Sequence, residues 1–162
     1  MNQTASSVVT DGIALITLNN PPVNALSAPL RQALQSELDR AFRDDQVHAI
    51  MLICAGRTFI AGADITEFGQ PWQSPSLPDL CAMLDAAPKP VVAAIHGTAL
   101  GGGFELALAC HYRVVAASAR VGLPEVNLGL LPGAGGTQRV PRVVGAKAAL
   151  DIVTSGRQIK AK

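Results

Sequence analysis

Apolar residues along this chain fall either in short runs or at helical intervals, and the two kinds of stretch alternate. Residues 8–10 and 13–18 form two apolar runs around Asp11-Gly12, a tight hairpin signal. Asn19-Asn20-Pro21-Pro22 ends the second run. Ser27 has the character of an N-cap, and Pro29 is tolerated in a first helical turn. Leu30, Leu34, Leu38 and Ala41 or Phe42 then recur at helical spacing and predict a helix to Arg43. The run 49–55 predicts a buried strand. Residues 56–68 are a loop, and 70–78, with Pro71, Pro75 and Pro78, predict an exposed connection. Leu77, Leu80, Cys81, Leu84 and Ala87 share one helical face, which Pro88 and Pro90 close before an apolar strand at 91–95.

In the second half, glycines 101–103 lead into a short apolar helix at 104–110, then a strand at 113–116. A segment at 121–131 reaches a second glycine turn, 133–136, with a helix from about Thr137. Residues 143–154 are helical in pattern, Gly156 is a stop, and 157–162 carry no terminating signal. Strands alternate with helices, and the strands are too apolar to face water on both sides. The expected class is therefore α/β with buried strands, in one domain without a fixed-period repeat.

Composition narrows the function. With 49% apolar and 15% charged residues and a net charge of +1, the 162-residue chain is interior-rich. It does not suit nucleic acid or an anionic membrane as a partner. No apolar run reaches membrane-spanning length, and MNQTASS lacks the basic and apolar regions of a secretory signal. Cys54, Cys81 and Cys110 are odd in number and fit no zinc spacing, which suits a reducing compartment. His48, His96 and His111 have no metal-ligand spacing, and Ser118 and Ser155 lack a nucleophile setting. The expected localisation is cytoplasmic, or peroxisomal or mitochondrial in a eukaryote.

Chemistry concentrates at VVAAIHGTALGGGFELALA, residues 91–109. A glycine loop lets backbone approach a ligand closely, and the first turn of a helix offers unpaired N–H groups. Neither glycine cluster satisfies a phosphate-loop pattern, and Gln138 stands where GAGGTQ would need its last glycine for dinucleotide binding. Four glutamates are present. Glu37 falls on an amphipathic helix and reads as solvated; Glu67 follows a loop and says little. Glu105 and Glu125 both sit among apolar residues and glycines, where desolvation and mutual repulsion raise a carboxyl toward neutral pH. The residues alone leave two readings open: an acid–base pair, or buried acids satisfied by backbone N–H groups.

Four segments, in order, resemble the crotonase superfamily of enoyl-CoA hydratases and isomerases. They are PPVNALS (21–27), FIAGADITEF (59–68), GTALGGGFELALACHYRV (97–114) and VGLPEVNLGLLPGAGGTQRVPRVVG (121–145). The wording around CHYRV, RVGLPEV and PRVVG is similar to the hydratase part of multifunctional β-oxidation enzymes. The resemblance implies a spiral of ββα units, with 1–162 as a catalytic core lacking the family's C-terminal helical part. It implies hydration of a 2-enoyl-CoA thioester, with coenzyme A thioester as substrate and no metal or redox cofactor.

It also implies Glu105 and Glu125 as the catalytic acids and the N–H groups of Ala63 and Gly102 as the oxyanion hole. Ala61, Ala63, Asp64, Ile65, Gly101, Leu131, Pro132 and Gly133 would contact coenzyme A or the acyl group. Thr66 replaces the lysine common at its place. The resemblance further implies a homotrimer or hexamer for the full-length domain. Alternatives are a Δ3–Δ2-enoyl-CoA isomerase of the same fold and a non-catalytic acyl-CoA-binding or assembly module.

Overall fold

The computed structural model describes residues 4–71 and 73–161. The hairpin is built as expected from β1 (Ala5–Thr10) and β2 (Ile13–Leu18), paired antiparallel from Ala5↔Leu18 to Thr10↔Ile13. Its turn needs left-handed backbone at both central residues, and Asp11 and Gly12 supply it with φ of 50° and 78°. β1 starts earlier than the apolar run, because Ala5 and its neighbours are held by the ladder rather than by hydrophobicity.

Helix α1 (Ala28–Arg43) buries Leu30, Leu34, Leu38 and Ala41, the predicted face. Two details differ from the sequence reading. Ser27 occupies the cap position, but its hydroxyl makes no cap bond and instead accepts from the Asn20 amide at 3.2 Å. The Ala28 N–H is taken by the distant Glu67 carboxylate. Glu37 is not solvated: it is only 7% exposed and ion-pairs with Arg40, one helical turn on.

β3 (Ala49–Cys54) pairs parallel with β2, β4 (Val91–Ile95) with β3, and β6 (Tyr112–Val115) with β4, giving a five-stranded sheet in the order β1-β2-β3-β4-β6. A smaller sheet runs β5-β7-β8, from Thr98–Leu100, Arg120–Gly122 and Ile159–Lys160. β4 passes into β5 and then α3 (Gly102–Ala109); β6 passes into β7 and then α4 (Gly136–Val144). β3 makes the same move, with Ile60 bridging to Ala99 of β5 before α2 (Leu77–Asp85). Each turn thus places one strand in the large sheet, one segment in the small sheet, and a helix after them. This is the expected spiral of ββα units.

The main core joins α1, the buried faces of β2–β4, and Leu80, Leu84, Leu106 and Ala107 from α2 and α3. A second cluster joins Leu108, Leu123, Val140, Ala149 and Ile152. α2 begins with the Ser76–Asp79 capping box, a local signal that fixes its start inside the proline-rich connection.

Other sequence expectations are corrected. α3 starts at Gly102, earlier than the apolar residues suggest, because the glycines themselves form its first turn. The apolar stretch 143–154 is divided: Gly145, at φ 80°, ends α4 and admits α5 (Ala146–Ser155). Burial of every strand does not hold for β6, whose Tyr112 and Val114 are 66% and 62% exposed at the sheet edge. The tail without a stop signal returns as β8, antiparallel to β7. No helix among the described residues is long and apolar enough to cross a membrane.

Candidate functional site

A cavity of about 1050 Å³ opens between the loop after β3, the start of α2, the start of α3 and the segment 130–134. Of the loop of three glycines behind this cavity, Gly102 lines it, and each of the three has a different reason to be glycine. Gly101 holds φ 51° and ψ −128°, a conformation closed to other residues, and a Cβ there would lie 3.1 Å from Glu125 Oε1. A Cβ on Gly103 would lie 2.3 Å from the Ile60 carbonyl, so α3 docks directly on that backbone. Gly102 has no such backbone obstacle; a Cβ there would meet Leu77 Cδ2 at 2.6 Å and the Ala63 nitrogen at 3.6 Å.

Ala63 and Gly102 both line the cavity. Among the described residues neither N–H finds an acceptor within the protein, whereas the Gly101 N–H is spent on the Gly122 carbonyl. Two unpaired donors therefore stand side by side at one wall. They are brought together because residues 60–63 run beside β5 on one side, through Ile60↔Ala99, and beside Leu26 on the other, through Leu26↔Ala63.

The two acids complete the wall. Glu105, in the first turn of α3, is 2% exposed and lines the cavity. Its Oε1 accepts the Ala134 and Gly136 N–H groups, both at 2.8 Å, so the carboxylate has a fixed position. Glu125 lies in the 3-10 turn Pro124–Leu128. Its Oε2 is buried and, among the described residues, has no partner. Burial pushes the Glu125 carboxyl up from the usual glutamate range; its own backbone N–H opposes this, and the nearby Glu105 charge adds to the rise. Glu105 is thus satisfied by backbone N–H groups through one oxygen, whereas Glu125 is half-buried with its Oε2 unpartnered among the described residues.

Asp64, Leu131 and Gly133 also line the cavity, Leu131 with 81% of its surface exposed. Ala61, Ile65, Gly101 and Pro132 stand outside its lining. The Ala61 N–H is used on the Val23 carbonyl, Ile65 points to solvent, and Pro132 is buried. Thr66 lines the cavity with its hydroxyl donated to Asp64 at 2.7 Å.

Sequence reading missed Arg31 and Glu67. Arg31 is buried and bonds the Leu26 and Pro75 carbonyls at 2.7 Å, the Gln73 carbonyl at 3.2 Å and Glu67 at 2.8 Å. The pair holds the outer wall of the cavity onto the start of α1. The available signal was an arginine beside Leu30 on an apolar helix face.

The remaining candidates are structural. His111 Nδ1 accepts the Val91 N–H, and His96 bonds the Gly56 carbonyl. The three cysteines are buried and free; burial pushes the Cys81 and Cys110 thiols up to about 12 and raises the Cys54 thiol as well, which disfavours the thiolate.

A sequence profile of the family described as enoyl-CoA hydratase/isomerase matches residues 9–162. The chain is 53% identical over 155 residues to a peroxisomal bifunctional enzyme of Danio rerio, covering 96% of this chain and 22% of that protein. It is 46% identical over 164 residues to a probable enoyl-CoA hydratase of Bacillus subtilis, covering 97% of this chain and 64% of the other. The crystal structure of an enoyl-CoA hydratase from Bacillus anthracis superposes with a TM-score of 0.89 at 38% identity, over 98% of this chain and 65% of that one. The chain spans less than two thirds of each of these relatives.

Proposed function

The chain belongs to the enoyl-CoA hydratase/isomerase family, and from that premise we propose that it adds water across the double bond of a 2-enoyl-CoA thioester. The observation that carries this reading is the meeting of two acids and two unpaired N–H donors on one cavity wall.

The thioester oxygen binds the Ala63 and Gly102 N–H groups. As water attacks C3, the π electrons move onto that oxygen, and preorganised donors stabilise the charge as it forms; losing one such donor costs about 2.7–4 kcal/mol of barrier. Glu105, anchored through Oε1, holds the water with its other oxygen and takes its proton. Glu125, biased by burial toward its protonated form, gives a proton to C2. The hydroxyl ends on C3 and the hydrogen on C2, so one water is added in net. Passing the proton from Glu105 back to Glu125 resets the site. No resident cofactor has a step to perform in this scheme.

The loop through Ala61, Ala63, Asp64 and Ile65 takes the coenzyme A portion, with Gly101 and Pro132 supporting the wall, while Leu131 and Gly133 flank the acyl chain. Binding of that long handle orients the reacting carbons. The homotrimeric or hexameric assembly that the resemblance implies for the full-length domain would cover the exposed Leu128, Val143 and Leu150. A peroxisomal or other reducing compartment suits the three free thiols and the peroxisomal relative.

The test is loss of enoyl-thioester absorbance with crotonyl-CoA, beside a binding measurement with the same thioester. Turnover supports hydration. Tight binding without turnover replaces it with an acyl-CoA-binding module.

A further inference from the structure

Glu105 is held by a turn, and the turn is held by Arg139. The Ala134 and Gly136 N–H groups that bond Glu105 Oε1 belong to a turn whose middle residue, Gly135, has φ 96°. Arg139 folds back onto this turn from the start of α4. Its Nη1 donates to the Ala134 carbonyl at 2.8 Å, and its Nη2 forms an ion pair with Asp85 at the end of α2. A Cβ on Gly135 would lie 2.1 Å from Arg139 Nη1, so the guanidinium takes the space where a side chain would stand. A cation this near a helix N-terminus is opposed by the helix dipole. Asp85 and the Ala134 carbonyl offset that cost.

Arg139 does not line the substrate cavity, so any effect on the reaction must pass through the residues it holds. Its route is short. The Ala134 carbonyl is bound by Arg139, and the Ala134 N–H is bound by Glu105. An isolated half-exposed ion pair contributes little to stability. Here the pair fixes the peptide planes on which the Glu105 carboxylate rests. We propose that Arg139, braced by Asp85, is a positioning residue for hydration that acts by orienting the Ala134–Gly136 turn beneath Glu105. The inference rests on the hydratase reading for its catalytic consequence, but not for its geometry.

The experiment compares Arg139→Met, Arg139→Lys and Asp85→Asn in otherwise unaltered protein. Arg139→Met should lower kcat for crotonyl-CoA by about 10- to 100-fold, the scale of a misplaced catalytic group, with KM changed by less than about threefold. Lysine reaches one of the two partners but not both, so Arg139→Lys should recover part of the loss. In a Glu105→Gln background, Arg139→Met should add less than about a twofold further loss, because its effect passes through that carboxylate. Equal losses in both backgrounds would overturn the proposal.

Amide hydrogen exchange gives a readout independent of activity. The Ala134 and Gly136 amides should exchange at least about tenfold faster in Arg139→Met while the β2 and β3 amides keep their protection. Unchanged exchange overturns the proposal. If the unaltered chain does not hydrate crotonyl-CoA, the hydratase reading falls and exchange alone decides the inference. If Arg139→Met does not fold, Asp85→Asn carries the same exchange and kinetic tests with a smaller expected effect.

Discussion

The Ala63 nitrogen lies 3.6 Å from the point where a Cβ on Gly102 would stand, and neither residue's N–H has an acceptor within the described protein. The positive φ in this loop belongs to Gly101; Gly102 starts the helix without one, so its backbone suits proline, and a Cβ there displaces Leu77. Gly102→Pro removes one donor and should reduce crotonyl-CoA turnover by about 10²–10³. Gly102→Ala keeps the donor, also displaces Leu77, and should lose far less. Steady-state kinetics on both folded variants provide the check; equal losses would mean that crowding at Leu77, not the missing N–H, is responsible.

The two acids should respond differently to two reactions. Hydration needs a held water and two proton movements, so Glu105→Gln and Glu125→Gln should each lower it by about 10²–10⁴. Isomerisation moves one proton between two carbons of the substrate and can use one acid. By the family resemblance that acid should be Glu125, whose Oε2 is unpartnered among the described residues. Any conversion of a 3-enoyl-CoA should fall with Glu125→Gln and survive better with Glu105→Gln. Both variants should still bind coenzyme A thioester. Normal hydration by Glu105→Gln would remove the two-acid mechanism.

Glu125 also makes stability depend on pH in a defined direction. Burial raises its carboxyl in the folded protein above the ordinary value of 4.5, helped by the nearby Glu105 charge. The folded state therefore holds that proton more tightly than the unfolded chain. Its stabilising contribution is complete below the ordinary value and is lost as pH rises through the elevated folded one. Glu125→Gln should unfold at a higher temperature than the unaltered protein near neutral pH, and the gap should close in acid. Thermal melts across that range test it. A gap that widened in acid would contradict the desolvation of the half-buried carboxyl.

The outer wall depends on Arg31. Replacing it with Met leaves Glu67 Oε2 and three backbone carbonyls without the Arg31 donor, while Glu67 Oε1 keeps the Ala28 N–H. Removing one partner of a buried pair costs about 3–5 kcal/mol, and Glu67, with 32% of its side chain exposed, places the loss at the lower end. Denaturant unfolding should show that loss, and limited proteolysis should find new cleavage in the connection before α2. An unchanged midpoint and digestion pattern would show that the loop is held by other contacts.

Much of the scaffold was legible from local pattern. The Asp11-Gly12 turn, the face of α1 and the buried strands β3 and β4 follow from residues near in sequence, because periodicity and turn chemistry act over a few positions. The two informative glutamates could also be picked out, since acids among apolar residues and glycines are unusual. What the sequence alone could not decide depended on partners far along the chain. Glu37 was hidden by packing, Ser27 gave up its capping role to Glu67, and the tail became β8 only because β7 offers an edge. The placement of Ala63 beside Gly102 follows from two backbone bridges between distant segments. The grip of Arg139 on the turn beneath Glu105 needs α2, α3 and α4 together. Backbone donors and ion pairs carry no periodic signal, so their role is settled only when the fold closes and excludes the water that would otherwise satisfy them.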